Sequence, residues 1–266
     1  MEQKIIQALR DLRAKNPLVH NITNFVVMNN TANALLAIGA SPMMVHGHKE
    51  VETGVEVASS LVINVGTLDD YWAESMLKAA KRANSLQKPW ILDPVGAGLS
   101  TFRNEVLRQL ISYRPTVIRG NASEIMALHQ FSKTGGKGVD STNTSDQALE
   151  AAKALNAATG SIVCISGEVD YIVGDHQIIA ADNGHSLMTK VTGLGCSSTA
   201  VIGGFIGLNS DPYLEAVSGV ALFSLAGELA FEQAKGPGSL QVELYDALFN
   251  LNETTILKHI RVREHA

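Results

Sequence analysis

Cysteine is nearly absent from this chain: 266 residues hold two, Cys164 and Cys196. That excludes a disulfide framework and points to a reducing compartment, the cytoplasm. A basic excess is absent as well. Lys and Arg number 21 against 26 Asp and Glu, for a formal net charge of −5, which provides no field for nucleic acid or an anionic membrane. A polyphosphate site in such a chain must rely on local amides, one or two cations and a metal. Long apolar runs are missing too. The first 16 residues carry charge throughout, which predicts a helix and not a signal peptide. The stretch 199–208 is too short to span a bilayer, and 217–231 is short and contains Glu228, so both predict buried helices of a soluble protein. Repeats and Pro- or Ser-rich linkers are lacking, so residues 1–266 read as one domain.

What is present is a globular composition, 45% hydrophobic and 18% charged, in a chain long enough to bury a substantial core. Short Val- and Ile-rich runs at 61–65, 90–92, 116–118 and 161–165 predict strands. Helical stretches at 70–86, 104–113, 122–129 and 145–158 lie between them. Strands without strict apolar–polar alternation are covered on both faces, so the fold class is α/β, a mostly parallel sheet with helices on both sides. After Gly167 the pattern changes to a hairpin, 171–173 with 177–180, and a further strand at 187–191. From Gly195 the chain reads as helix over 196–208, 213–234 and 240–251. The segment 131–144, with Gly135, Gly136 and Gly138, reads as a loop that can serve as a lid.

Four constellations can carry chemistry. In Thr192-Gly193-Leu194-Gly195-Cys196 a glycine turn opens a long apolar helix. Gly193 and Gly195 let a ligand approach the backbone, and the free amides of the helix start form an anion site suited to a transferring phosphoryl group. A plain chain reversal explains the same glycines equally well. As a dinucleotide fingerprint the stretch fails at Ser198 and comes too late in the chain, and Gly136-Lys137-Gly138 lacks the Ser or Thr of a P-loop.

Asp93, in Leu92-Asp93-Pro94-Val95-Gly96, stands at a strand end where a carboxylate can hold Mg²⁺ or merely cap the next turn. Arg119-Gly120-Asn121-Ala122-Ser123-Glu124 repeats that position. Its guanidinium suits phosphate oxygens, while Asn121 and Glu124 fit a helix capping box. His20-Asn21-Ile22-Thr23-Asn24 precedes a helix, where its polar groups can read a small ring or cap the helix. Met43 and Met44 suit either an adaptable apolar wall or a core. His46-Gly47-His48 has no further ligand at metal spacing, so no metal site is assigned there. Cys164, among Val and Ile, reads as core.

The ordered set resembles the hydroxyethylthiazole kinase family of the ribokinase-like superfamily over nearly the whole chain. The resemblance is carried by Asn16-Pro17-Leu18-Val19-His20-Asn21-Ile22-Thr23-Asn24, Gly39-Ala40-Ser41-Pro42-Met43-Met44, Leu92-Asp93-Pro94-Val95-Gly96-Ala97, Arg119-Gly120-Asn121-x-x-Glu124, Thr192-Gly193-x-Gly195-Cys196 and Gly236-Pro237-Gly238-Ser239. It implies transfer of the ATP γ-phosphate, with Mg²⁺, to the hydroxyl of 4-methyl-5-(2-hydroxyethyl)thiazole in thiamine salvage. It further implies that Arg119, Asn121 and Ser166 contact ATP, and that Asp93 and Glu124 organise Mg²⁺. Met44, Gly193 and Asn24 would contact the thiazole, in a homotrimer with active sites between subunits.

Most ribokinase-like kinases carry Asp where this chain has Cys196, and the thiazole kinases carry Cys. That argues against a hydroxymethylpyrimidine or sugar kinase, and against an ATP-dependent hydro-lyase acting on damaged nicotinamide cofactors. A non-catalytic thiazole binder would have no use for Asp93, Arg119 and Glu124. A helix N-terminus lowers a thiol from its usual pKa of ~8.5, so some thiolate is expected at Cys196. Its role is to orient the substrate, with proton acceptance left open.

Overall fold

The computed structural model describes residues 1–132 and 144–265. Most of the expected lid segment, 131–144, therefore lies outside the described residues. Among the described residues the chain forms one sheet of nine strands in the order β2-β1-β3-β4-β5-β6-β7-β8-β9. The strands are β1 (Leu18–Ile22), β2 (Ser41–Met43), β3 (Ser60–Asn64), β4 (Trp90–Asp93), β5 (Val117–Asn121), β6 (Ile162–Ser166), β7 (Asp170–Val173), β8 (Ile178–Ala181) and β9 (Val262–Glu264). From β2 to β6 every neighbour is parallel, and β7, β8 and β9 are antiparallel.

Both faces of the parallel part are apolar because both are covered. β3 sends Leu61 and Ile63 into one core and Val62 into the other, and β4 divides Trp90 and Leu92 from Ile91 in the same way. The side chains still alternate with period two, but no polar face results. One core includes residues of α1 (Glu2–Lys15), α2 (Met28–Ile38), α8 (Leu194–Ile206), α9 (Pro212–Gln233), α10 (Pro237–Asn250) and α11 (Glu253–His259). The other is covered by α3 (Val51–Val57), α4 (Asp70–Ser85), α5 (Thr101–Ser112), α6 (Ala122–Ser132) and α7 (Thr144–Thr159).

Local signals set the helix starts. Asp69 caps α4 by accepting from Trp72 N at 2.7 Å. Ser100 caps α5, which moves its start three residues ahead of the expected Asn104. Asp211 caps α9, with Pro212 at the first helical position. The α9 helix has the length and apolarity of a membrane span, yet 78% of that stretch is buried inside the protein.

One expected strand is absent. Residues 187–191 fall largely in a 3₁₀ turn, Ser186–Lys190. The His185 ring accepts from Leu187 N at 3.1 Å and starts the turn, while Met188 fills the space that a side chain at Gly227 would need. Local capping and packing therefore prevail over the β propensity of this short run. The strands β1, β2 and β9 and the short helices α3 and α11 are not among the elements expected from the sequence.

Candidate active site

The carboxyl ends of the parallel strands form a rim, the usual place for ligands in such sheets. Asn64, Asp93, Asn121 and Ser166 are the last residues of β3, β4, β5 and β6, and Asn24 lies just past β1. In register, Asn64 stands beside Asp93 and Asn121 beside Ser166. Met44 follows the edge strand β2 on the same rim and is half-buried.

The glycine turn faces this rim. Gly193 has φ +79°, and a Cβ there would come within 2.3 Å of Val27 Cγ1. It caps α8 without any side-chain bond. The first amide of this helix to bond backward is Ser197 N, to the Gly193 carbonyl at 2.9 Å, so the amides of Leu194, Gly195 and Cys196 precede the intrahelical ladder. Arg119 Nη1 donates to the Gly195 carbonyl at 2.9 Å, and a Cβ at Gly195 would stand 3.0 Å from that same nitrogen. The second glycine thus admits a guanidinium, where the first permits the turn.

Asp93 is 2% exposed and accepts two bonds at Oδ2, from Asn64 Nδ2 at 2.7 Å and Thr199 Oγ1 at 2.8 Å. Burial pushes its carboxyl up to about 6 against the pull of Arg119, and the charge of Glu124 adds to the rise. Glu124 and Asn121 form the expected capping box: Glu124 Oε2 accepts from Asn121 N at 2.9 Å and Asn121 Oδ1 from Glu124 N at 3.0 Å. The other carboxylate oxygen, Oε1, accepts from Gly96 N at 3.0 Å. The cap and the turn after Asp93 therefore share one side chain.

Cys196 corrects an expectation. Its thiol is pushed up to about 11, first by burial and then by the charge of Asp93. These outweigh the helix terminus, and the group is a neutral thiol near pH 7. Asn24 Nδ2 approaches Sγ at 3.6 Å and donates to Asn64 Oδ1 at 2.8 Å. A polar chain consequently runs from Cys196 through Asn24 and Asn64 to Asp93.

Beyond Arg119 a cavity of about 840 Å³ opens, lined by Ser166, Asp170, Leu194, Gly195 and Ser198 among others. His46 and His48 pack on aromatic rings, His46 edge-on to Trp72 and His48 stacked on Tyr71.

The chain is similar to known proteins over almost its whole length. The model of the hydroxyethylthiazole kinase family matches residues 9–254. A hydroxyethylthiazole kinase of Syntrophus aciditrophicus is 49% identical over 256 residues, 96% of this chain and 95% of its own. The chain belongs to the hydroxyethylthiazole kinase family. It is therefore a phosphotransferase. The relative from Pyrococcus abyssi is 45% identical over 98% of each chain. The solved hydroxyethylthiazole kinase of Pyrococcus horikoshii OT3 superposes with a TM-score of 0.92 at 42% identity, covering 99% of this chain and 100% of its own. A ribokinase-like superfamily protein from Enterococcus faecalis V583, 15% identical over 95% of each chain with a TM-score of 0.69, shows the shared fold alone.

Two further residues belong to this rim, Asn64 and Thr199. Asn64 is the one polar residue within the run 61–65, and Thr199 lies three positions after Cys196, which is the same helix face. Those signals were present, but only the tertiary arrangement connects both residues to Asp93.

Proposed function

We propose that this rim and turn transfer the γ-phosphate of ATP to the hydroxyl of 4-methyl-5-(2-hydroxyethyl)thiazole. Phosphorylation of the thiazole alcohol is the activity of the family to which the chain belongs. The observation that carries the site assignment is the meeting of Arg119 and Asp93 on the first turn and a half of α8, through the Gly195 carbonyl and the Thr199 hydroxyl, with Glu124 near enough for its charge to raise Asp93. Arg119 and Ser166 border the cavity and bind the nucleotide. Asn121 serves it through the capping box that fixes Glu124. The amides of Leu194, Gly195 and Cys196, which have no partner among the described residues, hold the phosphoryl oxygens as charge builds on them.

Asp93 and Glu124 fit a magnesium ion. Both are oxygen donors, and they lie close enough for the charge of one to raise the pKa of the other, a repulsion that a cation relieves. Bound there with the phosphates, Mg²⁺ would neutralise charge on the transferring group. Met44, Asn24 and Gly193 form the thiazole walls. Cys196, as a neutral thiol, orients the substrate hydroxyl, and a loose transition state makes little demand for a strong base.

The protein works in the cytoplasm as a homotrimer with active sites between subunits. Support comes from exposed apolar side chains on two adjoining helices: Leu36 on α2 is 59% exposed, and on α10 Val242 and Phe249 are 59% and 69% exposed. Light scattering after size exclusion should give three times the chain mass.

The test of the reaction is ADP release measured across thiazole, pyrimidine and sugar alcohols with Mg·ATP. The thiazole alcohol should be turned over in strong preference. Preference for a pyrimidine or sugar alcohol would overturn the assignment.

A further inference from the structure

The walls assigned to the thiazole lie on two loops, and one side chain touches both. The loop after β1 carries Asn24. Its Thr23 carbonyl accepts from Trp72 Nε1 at 2.9 Å, and its Phe25 ring stacks on the indole with centroids 5.1 Å apart at 17°. The loop after β2 carries Met44. Two residues on, His46 sets its ring edge-on to the same indole, at 4.0 Å and 66°. The His46 carbonyl also accepts from Ser75 Oγ at 2.6 Å, so α4 holds this loop twice. On its inner side the loop is tied by His20, whose Nε2 donates to the Val45 carbonyl at 2.6 Å.

The indole itself has little freedom. Trp72 is 3% exposed, and its backbone amide is fixed by the Asp69 cap at the start of α4. A rigid, capped aromatic thus sets the separation of two segments that belong to no helix or strand where they meet it. The nucleotide side is assembled elsewhere, on the ends of β4, β5 and β6 and on α8.

Resting on the assignment of Asn24 and Met44 to the thiazole, we propose that Trp72 is a positioning residue for the thiazole alcohol. It fixes the spacing of the two loops and with it the width of the slot that receives a flat ring. The indole does not contact the reacting atoms. Its effect falls on thiazole affinity and leaves nucleotide affinity alone, because a displaced wall costs binding only to the group it faces.

The test uses the full chain and titrates the thiazole alcohol alone by calorimetry, with Mg·ATP titrated separately. Trp72→Phe keeps an aromatic body and removes the donor to Thr23. It should weaken thiazole affinity by about three- to tenfold, the scale of one lost hydrogen bond, with nucleotide affinity unchanged. His46→Leu, which removes the ring from the indole but keeps the backbone bond to Ser75, should act in the same direction and protects the test should the tryptophan variant not fold. In the wild-type protein, tryptophan emission should change saturably with thiazole alcohol. In Trp72→Phe, where Trp90 is the remaining tryptophan at the far end of β4, that change should vanish.

Met44→Ala and Asn24→Ala are titrated alongside. If neither weakens thiazole binding, the wall assignment itself fails. If they weaken it while Trp72→Phe and His46→Leu do not, or if both ligands weaken equally, the positioning role of Trp72 is overturned.

Discussion

Asn64 donates its amide to Asp93 Oδ2 at 2.7 Å, and its carbonyl oxygen accepts from Asn24 and from Gly66 N at 2.8 and 3.0 Å. One buried amide thereby connects the carboxylate on the nucleotide side to the asparagine beside Cys196. Asn64→Ala removes three hydrogen bonds at once, leaving Gly66 N without its partner and taking one of two partners from Asp93 Oδ2 and from Asn24 Nδ2, at a cost of about 0.5–1.5 kcal/mol per bond. Steady-state kinetics should show kcat/KM reduced by at least about tenfold. Undiminished turnover would show that the link is dispensable.

Asp93 sets stability against activity. Its folded pKa, about 6, lies above the ordinary carboxylate value, so the unfolded chain loses its proton first, stability falls as the pH rises from about 4 to about 6, and the full cost of the ionised group stands above that. Both hydrogen bonds end on one oxygen, which an Asn carbonyl can replace. Asp93→Asn should raise stability by about 1–3 kcal/mol at pH 8, read by urea unfolding, while activity falls by at least about a hundredfold through loss of the proposed metal ligand. A less stable variant would contradict the burial argument.

Cys196 governs the alkaline side. Its folded pKa, about 11, exceeds that of the unfolded thiol, so the unfolded chain loses its proton first as the pH rises. Stability should therefore decline between about pH 9 and 11, and Cys196→Ala should flatten part of that slope, with further contributions from Cys164, pushed up to about 12 by burial, and from Tyr213, whose phenol burial also raises. Urea midpoints at stepped pH measure this. In the assay, Cys196→Ala should slow turnover without abolishing it, and Cys196→Asp should remain active. An inactive Asp variant would mean that the thiol has a role its geometry does not suggest.

Gly193→Ala meets two obstacles, the positive φ and Val27. The left-handed backbone costs about 1–3 kcal/mol, and the clash adds to it. Pairing the substitution with Val27→Ala should restore only the part due to the clash. Thermal melts of the single and double variants separate the two contributions, and full recovery in the double variant would remove the backbone argument.

The strand–helix alternation was legible because apolar runs, caps and glycines are local signals. Asp93, Arg119, Glu124 and the glycine turn could be placed on the rim for the same reason, since each follows a readable strand or opens a readable helix. The run at 187–191 misled because a single bond to His185 and the pocket at Gly227 decided its conformation. The thiol of Cys196 misled for a related reason. Its helix position is local, whereas the burial and the Asp93 charge that raise its pKa come from residues distant in sequence. Asn64 and Thr199 acquire a role only where β3, β4 and α8 meet.

The capping box of α6 has a practical consequence. Each oxygen of Glu124 is held by a backbone amide, one at its own helix start and one at Gly96 after Asp93. A helix start is ordinarily a free place for an engineer seeking a more robust protein, because caps can be exchanged without touching the chemistry. Here that freedom is lost: any redesign of this cap also redraws the turn behind Asp93, so thermal tolerance has to be sought elsewhere in the chain.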